Sequence, residues 1–412
     1  MRVCMLGRIT MQHSVKGGME KHSKVLSEGL VRRGHSVTVI TTRHPQGKKA
    51  EVINGVKYYY LENTVPEGYS RGWWRESARK FGELCRNDHF DILWSESWGA
   101  RSCVGKLTGK YQTPTVAILQ GTAIQGMQSR INSAHGLKDG LGALKWILGK
   151  QLPRYIFVDF PLVHRVDAII SASNRLTKDI QRHYRVSREK ISTIYNGIDI
   201  ERFKPDQRAR LLVRQKYGIP SSEMVILVVG RVVKEKGMHL AIRMCAEIKG
   251  IFSNYKLLIA GQGPHLSELQ KLATKSGLQQ YVVFCGRIPN EEMSAYYNAS
   301  DVFLLPTLHV EGLPFSLLEA MSCEKPVISS DIGGVSSAVK DGENGFMFPA
   351  GDIQVMLNRT LEMLSDYTVA TRLARSARRT IVEHFSEDTM IDRTIEVFKH
   401  VRRTYAYSRV LR

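Results

Sequence analysis

The chain reads as an α/β protein made of two doubly wound domains, and three observations carry that reading. Apolar runs of strand length alternate with amphipathic stretches of helical length from end to end, the pattern of parallel strands covered by helices on both faces. The alternation restarts after a charged, turn-rich stretch at 198–222. At 412 residues the chain also exceeds one ordinary hydrophobic core, so two domains are the default.

In the first half, Val3–Gly7 reads as a buried strand, followed by a glycine loop and a helix from Met19 to Arg33 that stops at Gly34. Ser36–Thr41 and Val56–Leu61 are strands on either side of a Lys-rich turn, and a basic helix covers Gly72–Arg86. Ile92–Ser95, Thr115–Leu119, Val166–Ser171 and Ile191–Tyr195 complete this half. Asn196-Gly197 favours a turn and marks the approach to the domain boundary. Met224–Val229, Lys256–Ala260, Val282–Cys285, Val302–Leu305 and Pro326–Ser329 are five short strands of the second half. From Leu357 onward the pattern is helical, with a break at Phe385-Ser386 and a last helix over Asp388–Tyr407. The expected spans are 1–202, 203–385 and a terminal helix at 386–412.

One segment breaks the rhythm. Between Gly121 and Pro161 the chain is Gly-rich, basic and partly amphipathic, with Leu144-Lys145-Trp146-Ile147-Leu148 at its centre. Insertions after the C-terminal end of a strand build binding sites or lids. Leu and Trp beside Lys suit a membrane interface; a helix packed on its own domain's core is the plainer alternative.

Composition narrows the function classes. Hydrophobic residues at 43% and charged residues at 24% fit a globular enzyme. The six cysteines are scattered without a Cys-x-x-Cys pair, which argues for reduced thiols in a cytoplasmic protein over a disulfide or zinc framework. The N-terminus carries no export-signal pattern, and no apolar run reaches the length that crosses a bilayer. The net charge of +20 is lopsided: residues 1–200 hold 31 Lys and Arg against 16 Asp and Glu. A basic first half points to an anionic partner, namely an acidic lipid headgroup, a phosphorylated acceptor or nucleic acid, or to a plain solvated surface.

Four stretches carry chemistry. Gly17-Gly18 sits in the first strand-to-helix loop, where glycine lets backbone amides approach a diphosphate. A third spaced glycine is missing, which argues against a nicotinamide enzyme. Gly230-Arg231-Val232-Val233-Lys234-Glu235-Lys236-Gly237 follows the first strand of the second half. Its Arg231 and Lys236 stand at a strand end, where open sheets bind ligands, and both can neutralise phosphate. Gly261-Gln262-Gly263-Pro264 ends the next strand. The fourth stretch places Glu311 and Glu319 eight residues apart around Gly312-Leu313-Pro314 and a short apolar helix, offering amides to an anion and carboxylates to hydroxyls. Each alone is weak, since two glycines, a charged loop or a tight turn are commonplace.

In this order, with Asn196-Gly197-Ile198-Asp199 between the halves, these stretches resemble the retaining glycosyltransferases of family 4, and the resemblance covers nearly the whole chain. It implies the GT-B fold: two Rossmann-like domains facing a cleft, the first for the acceptor and the second for the nucleotide-sugar donor, with the last helix crossing back to the first domain. It implies that Arg231 and Lys236 neutralise the donor diphosphate, that Glu311 holds hydroxyls of the transferred sugar, and that Glu319 holds the ribose. Gly17, Gly18, Gly230, Gly261, Gly263, Gly312, Leu313, Phe315, Ser316 and Leu318 would line the donor, with Arg287 and Ile288 beside the nucleobase. Gln120, Gly121 and Asn196 would lie on the acceptor side. Pro314 has no N–H and only shapes its turn.

The implied reaction moves a hexose from a nucleotide-diphosphate sugar to a glycan or lipid-linked acceptor with retention, without metal or other cofactor. The basic half suggests a membrane-proximal acceptor and a cytoplasmic protein peripheral at the inner face of the membrane; nucleic acid is not an expected partner. One departure stands out. Family members often carry a histidine where this chain reads Leu119-Gln120-Gly121-Thr122, and Gln120 hydrogen-bonds but carries no charge. His13 and His22 lie near the glycine loop. Two other readings are a sugar-nucleotide 2-epimerase on the same fold and a non-catalytic basic membrane-binding protein.

Overall fold

The computed structural model describes residues 1–13, 17–132 and 136–410, without the side chains of residues 71, 136–139 and 408–410. Two compact units make up the chain: 1–124, 145–197 and 387–412 in the first, and 125–144 with 198–386 in the second. Residues 125–144 and 198–202 therefore group with the second unit rather than with the rest of the first 202. Within the insertion at 121–161, residues 133–135 lie outside the described residues.

The first unit is built on eight strands: β1 (Arg2–Leu6), β2 (Ser36–Thr42), β3 (Ala50–Ile53), β4 (Val56–Leu61), β5 (Ile92–Glu96), β6 (Thr115–Leu119), β7 (Ala168–Ser171) and β8 (Ile191–Thr193). Their order is β3-β4-β2-β1-β5-β6-β7-β8. All pair in parallel except β3, which runs antiparallel to β4. β5 and β6 are buried along their whole length, which is why they read as unbroken apolar runs. β3 falls in the expected Lys-rich turn. Its residues alternate between exposed and half-buried at the sheet edge, so no continuous apolar run marks it.

The helix Gly18–Arg32 covers one face of this sheet. The terminal helix Glu387–Val410 lies against it, with Met390, Ile391, Ile395 and Phe398 sharing a core with Leu26 and Leu30. Arg33 closes the contact through Asp388 at 2.8 Å and Asp392 at 2.5 Å.

The second unit has six parallel strands: β9 (Met224–Val229), β10 (Tyr255–Ala260), β11 (Val282–Gly286), β12 (Val302–Leu305), β13 (Val327–Ser330) and β14 (Phe346–Phe348), in the order β11-β10-β9-β12-β13-β14. The sixth strand, β14, is too short at three residues to show a pattern in sequence. The strand order reverses beside β9: β10 lies on one side of it and β12 on the other. Loops leaving their C-terminal ends thus converge at a topological switch point, where doubly wound sheets bind ligands. Apart from β3, both sheets are parallel, Rossmann-like layers with helical cover. No helix among the described residues is long and apolar enough to cross a membrane.

Candidate functional site

The loops after β9, β10, β11 and β12 are tied together by backbone hydrogen bonds. Gly230 N–H donates to Ala260 O at 3.0 Å, Val232 N–H to Gln262 O at 2.9 Å, and Gly261 N–H to Gly286 O at 2.8 Å. Leu308 N–H reaches Glu235 O at 2.8 Å, and Gly334 N–H reaches Glu311 O at 2.8 Å. This lacing forces backbones together. A Cβ on Gly261 would stand 1.8 Å from the Gly230 carbonyl oxygen. Gly237, with φ +68°, would put a Cβ 1.7 Å from the Pro306 carbonyl oxygen. Only glycine fits at either position.

On this frame Lys236 Nζ forms an ion pair with Glu311 Oε1. Thr307 Oγ1 lies 3.4 Å from the same oxygen and accepts the His309 N–H at 3.1 Å. Burial works against the Glu311 carboxylate, yet the Lys236 ammonium, His309 and Thr307 outweigh it and hold its pKa below the ordinary carboxylate value. Burial pushes the His309 imidazole down, against the pull of Glu311. Glu311 is therefore a fixed anion and His309 a neutral neighbour at pH 7. Arg231 is exposed, with no carboxylate paired to it among the described residues.

Glu319 is the fifth residue of the helix Phe315–Ser322, about one turn in, and Pro314 caps the helix from outside. Glu319 is buried and accepts the Tyr297 hydroxyl at 2.7 Å on Oε2. Burial, then the Glu319 charge, raises the Tyr297 phenol well above its usual pKa, so Tyr297 stays a donor. Gly312, Phe315 and Ser316 are half-buried at the helix mouth, and Leu313 is buried. Leu318 corrects an expectation. It is fully buried, and its N–H is turned back towards Pro314 O at 3.4 Å, so its side chain packs the core and faces no ligand. Gly263 lies in the loop after β10, while Arg287 is exposed and Ile288 half-buried in the turn after β11.

The 125–144 segment meets the same loops. Arg130 pairs with Glu235 at 3.1 Å, and Val310 N–H donates to Ser129 Oγ at 2.8 Å. Neither pairing was legible in sequence, because Arg130 and Ser129 lie about a hundred residues or more from their partners.

In the first unit, Gly17 and Gly18 are exposed at the start of their helix, and the Gly17 N–H donates to Glu20 Oε2 at 2.8 Å. A carboxylate three residues past a helix start is a capping signature, and Glu20 fills that place. Gln120 and Gly121 are half-buried directly after β6. Asn196 is 2% exposed, which removes its side chain from an acceptor surface. Neither nearby histidine supplies a charge. His13 is buried with Nδ1 against Thr10 and Nε2 3.0 Å from Thr42 Oγ1. His22 is buried edge-on to Trp94, and burial lowers its pKa to about 4. A surface cleft of about 710 Å³ in the first unit, bounded by Arg33, His35, Ile194 and Asp392, holds none of the residues singled out from sequence.

Two family models divide the chain between them: "Glycosyltransferase Family 4" matches residues 16–202 and "Glycosyl transferases group 1" residues 210–380. The chain belongs to glycosyltransferase family 4. Among family relatives, an uncharacterized glycosyltransferase of Methanocaldococcus jannaschii is 26% identical over 93% of this chain and 95% of its own length. Glycogen synthase of Mycobacterium tuberculosis is 26% identical over 94% of this chain and 92% of its own length. A GDP-mannose-dependent α-(1-6)-phosphatidylinositol monomannoside mannosyltransferase of Mycolicibacterium smegmatis is 32% identical over 49% of this chain and 54% of its own length. By structure, sucrose-phosphate synthase of Thermosynechococcus elongatus matches 98% of this chain and 99% of its own with TM-score 0.80 at 19% identity. The Anabaena protein HepE in complex with UDP-glucose matches 97% of this chain and 99% of its own with TM-score 0.72 at 18% identity. These likenesses establish the GT-B fold and a glycosyltransferase.

Proposed function

We propose that this glycosyltransferase moves a hexose, with retention and without metal, from a nucleotide-diphosphate sugar to a glycan or lipid-linked acceptor near a membrane surface. The observation that carries the donor half of this reading is the Lys236–Glu311 ion pair beside exposed Arg231, on braced loops at the C-terminal strand ends. A departing nucleotide diphosphate gains negative charge, and preorganised cations and amides are the usual way to stabilise it. Arg231 and Lys236 would supply that charge, with Lys236 exchanging part of its hold on Glu311 for phosphate oxygens. Glu311, kept ionised, would accept hydrogen bonds from hydroxyls of the sugar, and Glu319, beside Tyr297, from the ribose. Amides of Gly312 and Phe315 would face the phosphates.

The acceptor hydroxyl attacks the anomeric carbon from the face the phosphate leaves, and the phosphate takes the hydroxyl proton as the glycosidic bond forms. Glu311, tied to Lys236, serves as a hydrogen-bond acceptor and not as a covalent nucleophile. The UDP-glucose complex of HepE and the GDP-mannose dependence in the mycolicibacterial relative's name favour a nucleotide-sugar donor without choosing the base.

Thermal unfolding with UDP-, GDP- and ADP-sugars tests this. A donor present at 100 times its dissociation constant should add about 2.7 kcal/mol. Stabilisation by one base series, followed by transfer with net retention to an added acceptor, is the expected result. Absence of any shift contradicts the site, and epimerised donor formed without acceptor replaces transfer with epimerisation.

A further inference from the structure

In the first unit, helical turns follow one another over Ile147–Gln151, Leu152–Arg154, Tyr155–Asp159 and Phe160–Arg165, the first and third of them π-helical. One side is anchored. Asp159, 2% exposed, accepts the Ala123 N–H at 2.9 Å and the Tyr184 hydroxyl at 3.0 Å. Tyr155 donates its hydroxyl to His183 O at 2.7 Å, and Leu162 and Val163 are in the core. The other side is apolar and open to solvent: Leu148 is 54% exposed, Leu152 38%, Ile156 46%, Phe157 63% and Phe160 38%.

The spacing of this stripe is informative. Leu148, Leu152, Ile156 and Phe160 recur every four residues, and at 3.6 residues per turn such a row would wind around an α-helix. Turns closed by i→i+5 bonds rotate less per residue, so the alternation of π and α turns keeps the row on one line. Pro153 and Pro161 are the second residues of the α turns that follow each π turn, where the wider turn relieves the clash of a proline ring with the carbonyl four residues back. The apolar row is thus a built, anchored ridge.

We propose that this ridge seats the protein on an anionic lipid bilayer. Charge chooses the occupant. Lys145 and Lys150 flank the row and are exposed, and from residue 140 to 158 the sequence contains no Asp or Glu. A second copy docking on the same ridge would bring these lysines together with no carboxylate to neutralise them, at a repulsive cost. Acidic headgroups neutralise them, while the leucines and phenylalanines enter the boundary between headgroup and acyl chain. The helix lies on the surface and does not cross it. This assignment rests on the membrane-proximal acceptor of the reading above and names the surface that would deliver it.

Flotation of the full-length protein with phosphatidylcholine vesicles, with and without phosphatidylglycerol, tests the assignment. The wild type should float with the phosphatidylglycerol vesicles, and less so as salt is added. Leu148→Ser/Leu152→Ser/Phe157→Ser should bind at least about tenfold more weakly, with the unfolding temperature kept because these side chains are exposed. Lys145→Glu/Lys150→Glu leaves the apolar row intact and should lose the preference for phosphatidylglycerol. Both variants should keep the nucleotide-sugar stabilisation of the wild type. Equal flotation of variants and wild type, no flotation of the wild type, or a lipid-free dimer that the apolar variant dissolves would each overturn the assignment. Flotation that persists while no nucleotide sugar stabilises the protein would sink the catalytic reading and leave the ridge standing.

Discussion

The two units treat buried ionisable groups in opposite ways. In the second unit Glu311 is held below its ordinary pKa as the ionic partner of Lys236. In the first, burial drives His22 down to about 4, which leaves it neutral at pH 7, and raises Glu96, at the end of β5, well above 4.5. One keeps an ion pair charged despite its burial; in the other, burial disfavours the charged forms of His22 and Glu96. The contrast supports the proposal that the second unit handles the anion.

The largest effect that probes this contrast is loss of a fixed cation. Lys236→Ala should lower kcat/KM by about 10²–10³, the usual cost of one preorganised charge at a developing oxyanion, in steady-state kinetics of a correctly folded protein. A loss below tenfold would remove the second unit's claim to the charge chemistry. Leu318→Ala should behave oppositely: about 3 kcal/mol of stability lost to a core cavity in a denaturant titration, with donor affinity little changed.

Acid unfolding should separate the units by pH window. His22 binds its proton more weakly folded than unfolded, so stability falls as pH drops from 6.5 to about 4. The full effect is about 3 kcal/mol, and His22→Gln should flatten that limb. Glu311 also loses stability on acidification, but below 4.5, as its lowered pKa is approached. Glu96 works in the other sense: its raised pKa costs stability as pH rises above 4.5. Glu96→Gln should therefore stabilise the protein increasingly towards neutral pH. The smallest effect belongs to the glycine loop, where Glu20→Ala should cost about 1 kcal/mol by freeing the Gly17 N–H. A cost near that of Leu318→Ala would make the loop a packing element.

Much of this was legible in sequence because it depends on local pattern. Parallel strands such as β6 and β9 announce themselves as unbroken apolar runs, and their boundaries Thr115–Leu119 and Met224–Val229 match the structure. Strand-end loops follow from strand ends, so Arg231, Lys236 and Glu311 were visible together with the chemistry they suit. What escaped depends on three-dimensional neighbours. β3 is an edge strand without a continuous apolar run, and β14 is an apolar edge strand of only three residues. The depth of Asn196 and Leu318, and the Arg130–Glu235 pair, depend on packing that spacing does not encode. The insertion after β6 looked amphipathic; which side it buries is set by Asp159 and Tyr155 reaching distant partners.

The central claim, that the second unit binds the donor diphosphate through its two cations, is tested most directly by calorimetric titration of UDP, GDP and ADP into wild type and Arg231→Ala. Arg231 is exposed, so its removal leaves the fold intact. One of the three nucleotides should bind the wild type and bind the variant about ten- to hundredfold more weakly, the loss of a charge-assisted hydrogen bond. The same affinity in both proteins would contradict the account.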